Sequence, residues 1–124
     1  MVKRRPINLN FFTIHFPVTA WVSVAHRLSG IFVFLMIPGL LWILQESLAS
    51  KARFHSLGAF FSHPIAVVGL WLLLAALLYH WVAGLRHLLM DIHIGESKIG
   101  GRIGAWLVIC ISLGFILLLG YKLW

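Results

Sequence analysis

Charge is scarce in this sequence, and acid is scarcer still. Of 124 residues only 10% are charged, and Asp and Glu together number three against ten Lys and Arg. So few carboxylates leave no pair for acid–base work, and the connecting segments carry no phosphate-cradling glycine motif and no nucleophile–base–acid grouping. Any chemistry on a soluble substrate therefore belongs to another chain. Cysteine is almost absent too: Cys110 stands alone, so no internal disulfide can form, and its place in an apolar run reads as packing. No internal repeat or low-complexity tract is present, and the two connectors, about 45–63 and 90–102, are too short to fold as domains. Residues 1–124 read as one unit. The first fifteen residues lack the apolar core and small-residue cleavage site of a removable leader, so the apolar runs themselves would be the targeting signal.

What the sequence has in abundance is oil. Hydrophobic side chains make up 61% of it, more than one small core can hide. Three apolar runs, about 20–43, 64–89 and 103–121, each approach or exceed the roughly 20 residues that cross a hydrocarbon layer of about 30 Å. They lack the polar/apolar alternation of barrel strands. The expectation is an all-α integral membrane protein with three transmembrane helices, about 20–45, 64–90 and 103–123, preceded by a short interfacial segment between Pro6 and Pro17. Pro38 and Gly39 fall inside the first span, where lipid-buried helices tolerate a kink. Trp21, Trp42, Trp106, Tyr121 and Trp124 sit near span ends, as interfacial anchors do. The basic residues cluster at helix ends and not along one face, which argues for orientation and against nucleic-acid binding. Lys3, Arg4, Arg5, Arg86, Lys98 and Arg102 fall on one side, and Lys51, Arg53 and Lys122 on the other. The positive-inside rule then puts the N-terminus in the cytoplasm and the C-terminus outside.

Two polar stripes interrupt the apolar runs. At 100° per residue, Ser23, His26, Arg27 and Gly30 share an arc of about 100° on the first helix. Arg27 would lie about 9 Å inside the cytoplasmic end of that span, at a cost of up to about 3.5 kcal/mol that snorkelling lowers. Ser23 and His26 beside it make a directed donor cluster suited to an anionic or carbonyl-bearing ligand. On the second helix His80, Gly84, His87 and Asp91 share an arc of about 60°. His80 lies about 16 Å from Asp91 along the axis, near the midplane, and is the only histidine in the chain at that depth. Gly84, one turn on, removes a side chain and lets a flat ligand approach the backbone. Imidazole is a common axial ligand of haem iron, so His80 is the candidate ligand, with a second ligand supplied by another subunit. His87 is a candidate propionate contact, and Asp91 reads as a local cap or pair. His15, His55, His63 and His93 read as solvated residues of loops and interfaces.

Taken together, "RPINLNFFTIHFPVTAWVSVAHRLSG" and "YHWVAGLRHLLMD" resemble the cytochrome b membrane-anchor subunits of succinate dehydrogenase, respiratory complex II. The first matches that family's "RPxNL" opening and "S-x-x-HR-x-SG" signature, the second its "H-x-x-x-G-x-RH-x-x-x-D" signature, and the resemblance covers nearly the whole chain. It implies a complex with a flavoprotein subunit carrying FAD, an iron-sulfur subunit and a second membrane anchor. It implies a haem b shared with the second anchor and ligated here by His80, with His26 near the propionates; the stripes themselves add Arg27 and His87 as candidate propionate contacts and Gly84 as the place where the macrocycle packs. It also implies a ubiquinone site lined by Ser23 and Arg27, and a bacterial inner-membrane location. In this chain Ser23 would hydrogen-bond a quinone carbonyl and Arg27 would stabilise the negative charge that grows on reduction.

Three other readings make different demands. A fumarate reductase anchor would run the reaction in reverse with a low-potential quinol. A small proton or anion transporter would use His26, Arg27, His80 and His87 as a path and would bind no chromophore. A purely structural anchor would keep quinone activity when Ser23 and Arg27 are changed conservatively.

Overall fold

The computed structural model describes residues 16–124. Four helices follow one another along the chain: α1 Val18–Ala49, α2 Lys51–Phe61, α3 Pro64–Asp91 and α4 Lys98–Leu123. Among the described residues there is no strand, and α1, α3 and α4 are each long and apolar enough to cross a membrane. The all-α, three-span architecture expected from the hydropathy is thus the one observed. The basic residues Lys3, Arg4 and Arg5, His15, and all of the anticipated interfacial segment before Phe16 lie outside the described residues.

Element boundaries differ from the sequence expectation in instructive ways. The first connector is not all connector: α2 occupies 11 residues of it. A helix so short is marginal alone, so its ends and neighbours must hold it. Ser50 closes α1 and caps α2, its hydroxyl accepting from the Arg53 backbone N–H. Arg53 also forks back onto Glu46 of α1 at 2.7 Å, and Leu57 and Phe61 are half-buried. α1 overruns the apolar segment to reach Ala49 and continues through Pro38. α4 starts five residues before the expected Ile103, because Ser97 caps it by accepting from the Gly100 N–H. Between α3 and α4 the chain turns through His93 and Gly95, both at positive φ. The N–H groups of His93 and Ile94 donate to Met90 and Leu89 carbonyls, the paired bonds that close a helix at a left-handed residue.

The three spans meet along a thin seam. Val22, Val82, Ala83, Ala105 and Val108 form the buried cluster, with Val18, Tyr79 and Ile109 against it. α4 turns a face of small residues to the seam, Gly101, Ala105, Val108 and Ser112, spaced four, three and four apart. Tyr79 donates its hydroxyl proton to the Val22 carbonyl at 3.1 Å. Trp71 donates from Nε1 to the Ile116 carbonyl at 3.1 Å, closing the opposite end. Cys110, which the sequence suggested was packed inside, is exposed. Two residues past Val108 it points about 200° away from the seam. The five aromatics expected as interfacial anchors, Trp21, Trp42, Trp106, Tyr121 and Trp124, are all exposed.

Candidate functional site

The polar stripes of α1 and α3 face each other across the seam. His26 stacks on His80 with ring centroids 4.3 Å apart and planes 18° from parallel. On its other side it meets His87 at 5.0 Å, tilted by 34°. His80 and His87 lie two turns apart on α3, about 10 Å along the axis, and His26 enters between them at Gly84. A Cβ on Gly84 would stand 3.6 Å from His26 Nε2. Three imidazoles therefore form a row from the middle of the bundle toward the Asp91 end of α3.

The His80 ring is held by α1. Its Nδ1 lies 3.1 Å from the His26 carbonyl and 3.2 Å from Ser29 Oγ. Ser29 in turn donates to the same carbonyl at 2.8 Å. A Cβ on Gly30 would sit 2.8 Å from His80 Cε1 and 3.2 Å from its Nδ1, far inside van der Waals contact. The ring reaches the α1 backbone only because position 30 has no side chain. The sequence reading placed Gly30 on the polar stripe and Ser29 in the family signature, but tied neither to His80. Their spacing, three and four residues after His26, puts both on its side of the helix, but only the packed α3 gives that side a partner.

His26 Nε2 is sealed from solvent and has no hydrogen-bond partner among the described residues. A buried polar atom left unmatched costs about 1–3 kcal/mol, so this nitrogen is where a ligand's polar group would be welcome. Ser23, one turn before His26, is half-buried. Arg27 is exposed and lies beside the row, not in it. Asp91 is exposed and, among the described residues, neither caps nor pairs.

Beyond the row, Arg86 crosses to α4. Its Nη2 donates to the Gly101 carbonyl at 3.2 Å, and Gly104 leaves space for its stem. Arg86 joins Thr19, Met90, Glu96, Lys98 and Arg102 around an open cleft of about 630 Å³ at the same end of the bundle as Asp91. Of the remaining histidines, His63 caps α3 by accepting from the Ile65 N–H at 3.4 Å. His93 pairs with Glu96 at 2.8 Å, and His55 is exposed. Among the described residues no three His, Cys, Asp or Glu side chains, the histidine row included, are arranged to hold a metal ion by themselves.

Comparison with known proteins assigns a family over most of the chain. A family model described as succinate dehydrogenase/fumarate reductase transmembrane subunit matches residues 1–119. A Coxiella burnetii protein named succinate dehydrogenase cytochrome b556 subunit is 38% identical over 125 residues, covering 100% of both chains. A Rickettsia bellii protein of the same name is 29% identical over 120 residues, covering 94% of this chain and 91% of the relative. With three apolar spans, facing polar stripes and a match that runs almost end to end, the chain belongs to the succinate dehydrogenase/fumarate reductase transmembrane subunit family.

Proposed function

We propose that this chain is the haem b-binding anchor of a succinate:ubiquinone oxidoreductase. In this reading it holds the flavoprotein and iron-sulfur subunits to the membrane beside a second anchor and forms part of the site where ubiquinone is reduced. The observation that carries the reading is the contact of His80 Nδ1 with the His26 carbonyl at 3.1 Å. The His26 carbonyl can only accept, so the short contact at Nδ1 requires the proton to be there. The Nε2 lone pair is then free for a metal, and a ring N–H donated to a backbone carbonyl is the usual support of a ligating histidine. His80 is not the lone imidazole at its depth that the sequence suggested, since His26 stacks on it at 4.3 Å; two rings stacked in parallel cannot both ligate one iron, so the macrocycle and a histidine of the second anchor would complete the set.

The residues present fit such a group. His26 Nε2, sealed and unmatched, is a donor or acceptor awaiting a partner, and with Arg27 and His87 it would face the propionates. The gap at Gly84 is taken by the His26 ring, so Gly84 would serve the haem by seating His26 and not, as the sequence suggested, by touching the macrocycle. A bound haem supplies one-electron chemistry. The names of the relatives, both cytochrome b556 subunits, support the same cofactor.

On the quinone, Ser23 would donate to a carbonyl oxygen, and the Arg27 guanidinium would stabilise the negative charge that the quinone gains. Protons would come from water at the nearby surface. The iron-sulfur subunit would deliver electrons at that surface, which we take as cytoplasmic. The C-terminus of α4 would lie in the periplasm of a bacterial inner membrane. The family description names succinate dehydrogenase and fumarate reductase together, so a quinol:fumarate reductase anchor is the second reading. Turnover of the purified complex with ubiquinone and with menaquinol separates the two. The primary test is a dithionite-reduced minus oxidised spectrum of the intact complex with and without His80→Ala. A b-type signal lost or shifted in the variant is expected. Its absence from an intact wild-type complex would remove the haem and leave the anchor.

A further inference from the structure

We propose that the Ser29 hydroxyl, together with the bare backbone of Gly30, fixes the tautomer and ring angle of His80, making Ser29 a positioning residue for the haem ligand. The proposal rests on the haem reading above and adds to it the device that aims the ligand.

The argument starts from proton placement. The His26 carbonyl oxygen receives two contacts, from Ser29 Oγ at 2.8 Å and from His80 Nδ1 at 3.1 Å, and can only accept both. Ser29 therefore spends its proton on that carbonyl. A lone pair of Oγ remains for His80 Nδ1, 3.2 Å away. The single Nδ1–H is shared between two acceptors on one turn of α1. Held by a single acceptor, an imidazole can still swivel about the bond. Two acceptors, a close wall at Gly30 and the His26 ring stacked at 4.3 Å leave it little rotational freedom. The direction of the Nε2 lone pair is then set by α1 and not by the rotamer freedom of α3.

This gives a physical reason for the order of "HRLSG". His26 supplies the carbonyl, Ser29 three residues on supplies the hydroxyl, and Gly30 four residues on supplies the gap. These spacings put all three on the side of α1 that meets His80. A larger residue at 30 would hold the ring off the carbonyl, and a residue without a hydroxyl at 29 would leave one acceptor in place of two. Because a partner at the second nitrogen raises the basicity of a ligating imidazole and orients its plane, loss of Ser29 Oγ should be legible at the iron.

The test uses the intact complex carrying Ser29→Ala, Ser29→Thr or Ser29→Cys. Haem per flavin, midpoint potential by redox titration and the low-spin electron paramagnetic resonance g values are read on each. The g values respond to the orientation of the axial imidazole planes, which general loss of stability does not mimic in a complex that keeps its haem. Ser29→Ala should retain haem and dye-linked succinate oxidation but show a shifted midpoint and shifted or broadened g values. Ser29→Thr keeps Oγ and should return both to wild type, while Ser29→Cys, with a weak sulfur acceptor, should resemble alanine. Wild-type potential and g values in Ser29→Ala would overturn the assignment. If the alanine complex does not assemble, indistinguishable Thr and Cys variants would overturn it equally. Failure of the underlying reading looks different: an intact wild-type complex without b-type haem, or a His80→Ala variant with an unaltered spectrum.

Discussion

At the scale of single residues the site depends on what is missing at position 30 as much as on what is present at 80. A methyl group on Gly30 would stand 2.8 Å from His80 Cε1, so Gly30→Ala must push the imidazole off the His26 carbonyl. Haem content per flavin, read as the pyridine haemochrome, should fall by half or more while the subunits still co-purify. Arg27 makes a contrasting case, because its exposed position leaves it free to meet a quinone or a partner without supporting the fold. Arg27→Leu should lower ubiquinone reduction by about 100- to 1,000-fold, in the range of a lost charge-stabilising donor. Succinate oxidation by an artificial dye that bypasses the quinone should be unchanged, and equal loss of both activities would refute the role. The stripe residues His26, Arg27, His80 and His87 were readable from the sequence because ionisable groups inside an apolar span are costly and rarely accidental. Ser29 was not, since a serine within a span usually satisfies itself on its own helix. Only the packed α3 shows that its hydroxyl also faces a second partner.

At the scale of elements, α4 is defined by small residues and one buried hydroxyl. Ser112 Oγ is sealed and unpartnered among the described residues, so Ser112→Ala removes a desolvation cost and no bond. Thermal denaturation of the detergent-solubilised complex should show no loss of stability, with a gain of up to about 1 kcal/mol. Gly104 is the opposite case. Its absent side chain makes room for Arg86, whose Nε would be 3.3 Å from a Cβ, and Gly104→Val should cost about 1–3 kcal/mol by the same measurement as the guanidinium is displaced. α2 is the element the sequence concealed. Its residues, "KARFHSLGAFF", mix charge, aromatics and glycine without a clean stripe. Local pattern gives no reason for it, whereas the Ser50 cap and the Arg53–Glu46 fork to α1 do. Hydropathy located the three spans but not their ends, because capping residues such as Ser97 are polar and fall outside any apolar run.

At the scale of the whole molecule the chain buries little of itself. Among the described residues the largest fully buried side chains are Val22 and Ser112, and most of the large apolar residues of α1, α3 and α4 are exposed on the outside of the bundle. Such a bundle matches an anchor subunit whose stability is shared with its neighbours. Orientation follows the same logic. A C-terminal alkaline phosphatase fusion should be active, and a green fluorescent protein fusion at that end dark, if α4 ends in the periplasm; the reverse result would invert the topology. The sequence by itself determined the solvent, the number of spans and the residues out of place in them, because transfer of apolar and charged side chains to lipid is a property of each side chain summed over a window. Tertiary structure alone decided that the two stripes face each other, and that His26 fits between His80 and His87. It also decided that His80 hangs from a carbonyl of another helix and that Cys110 points outward. Those facts depend on how α1 rotates and slides against α3 and α4. That register is set by close approach at Gly30 and Gly104 and by bonds between residues more than fifty positions apart, which no local window contains.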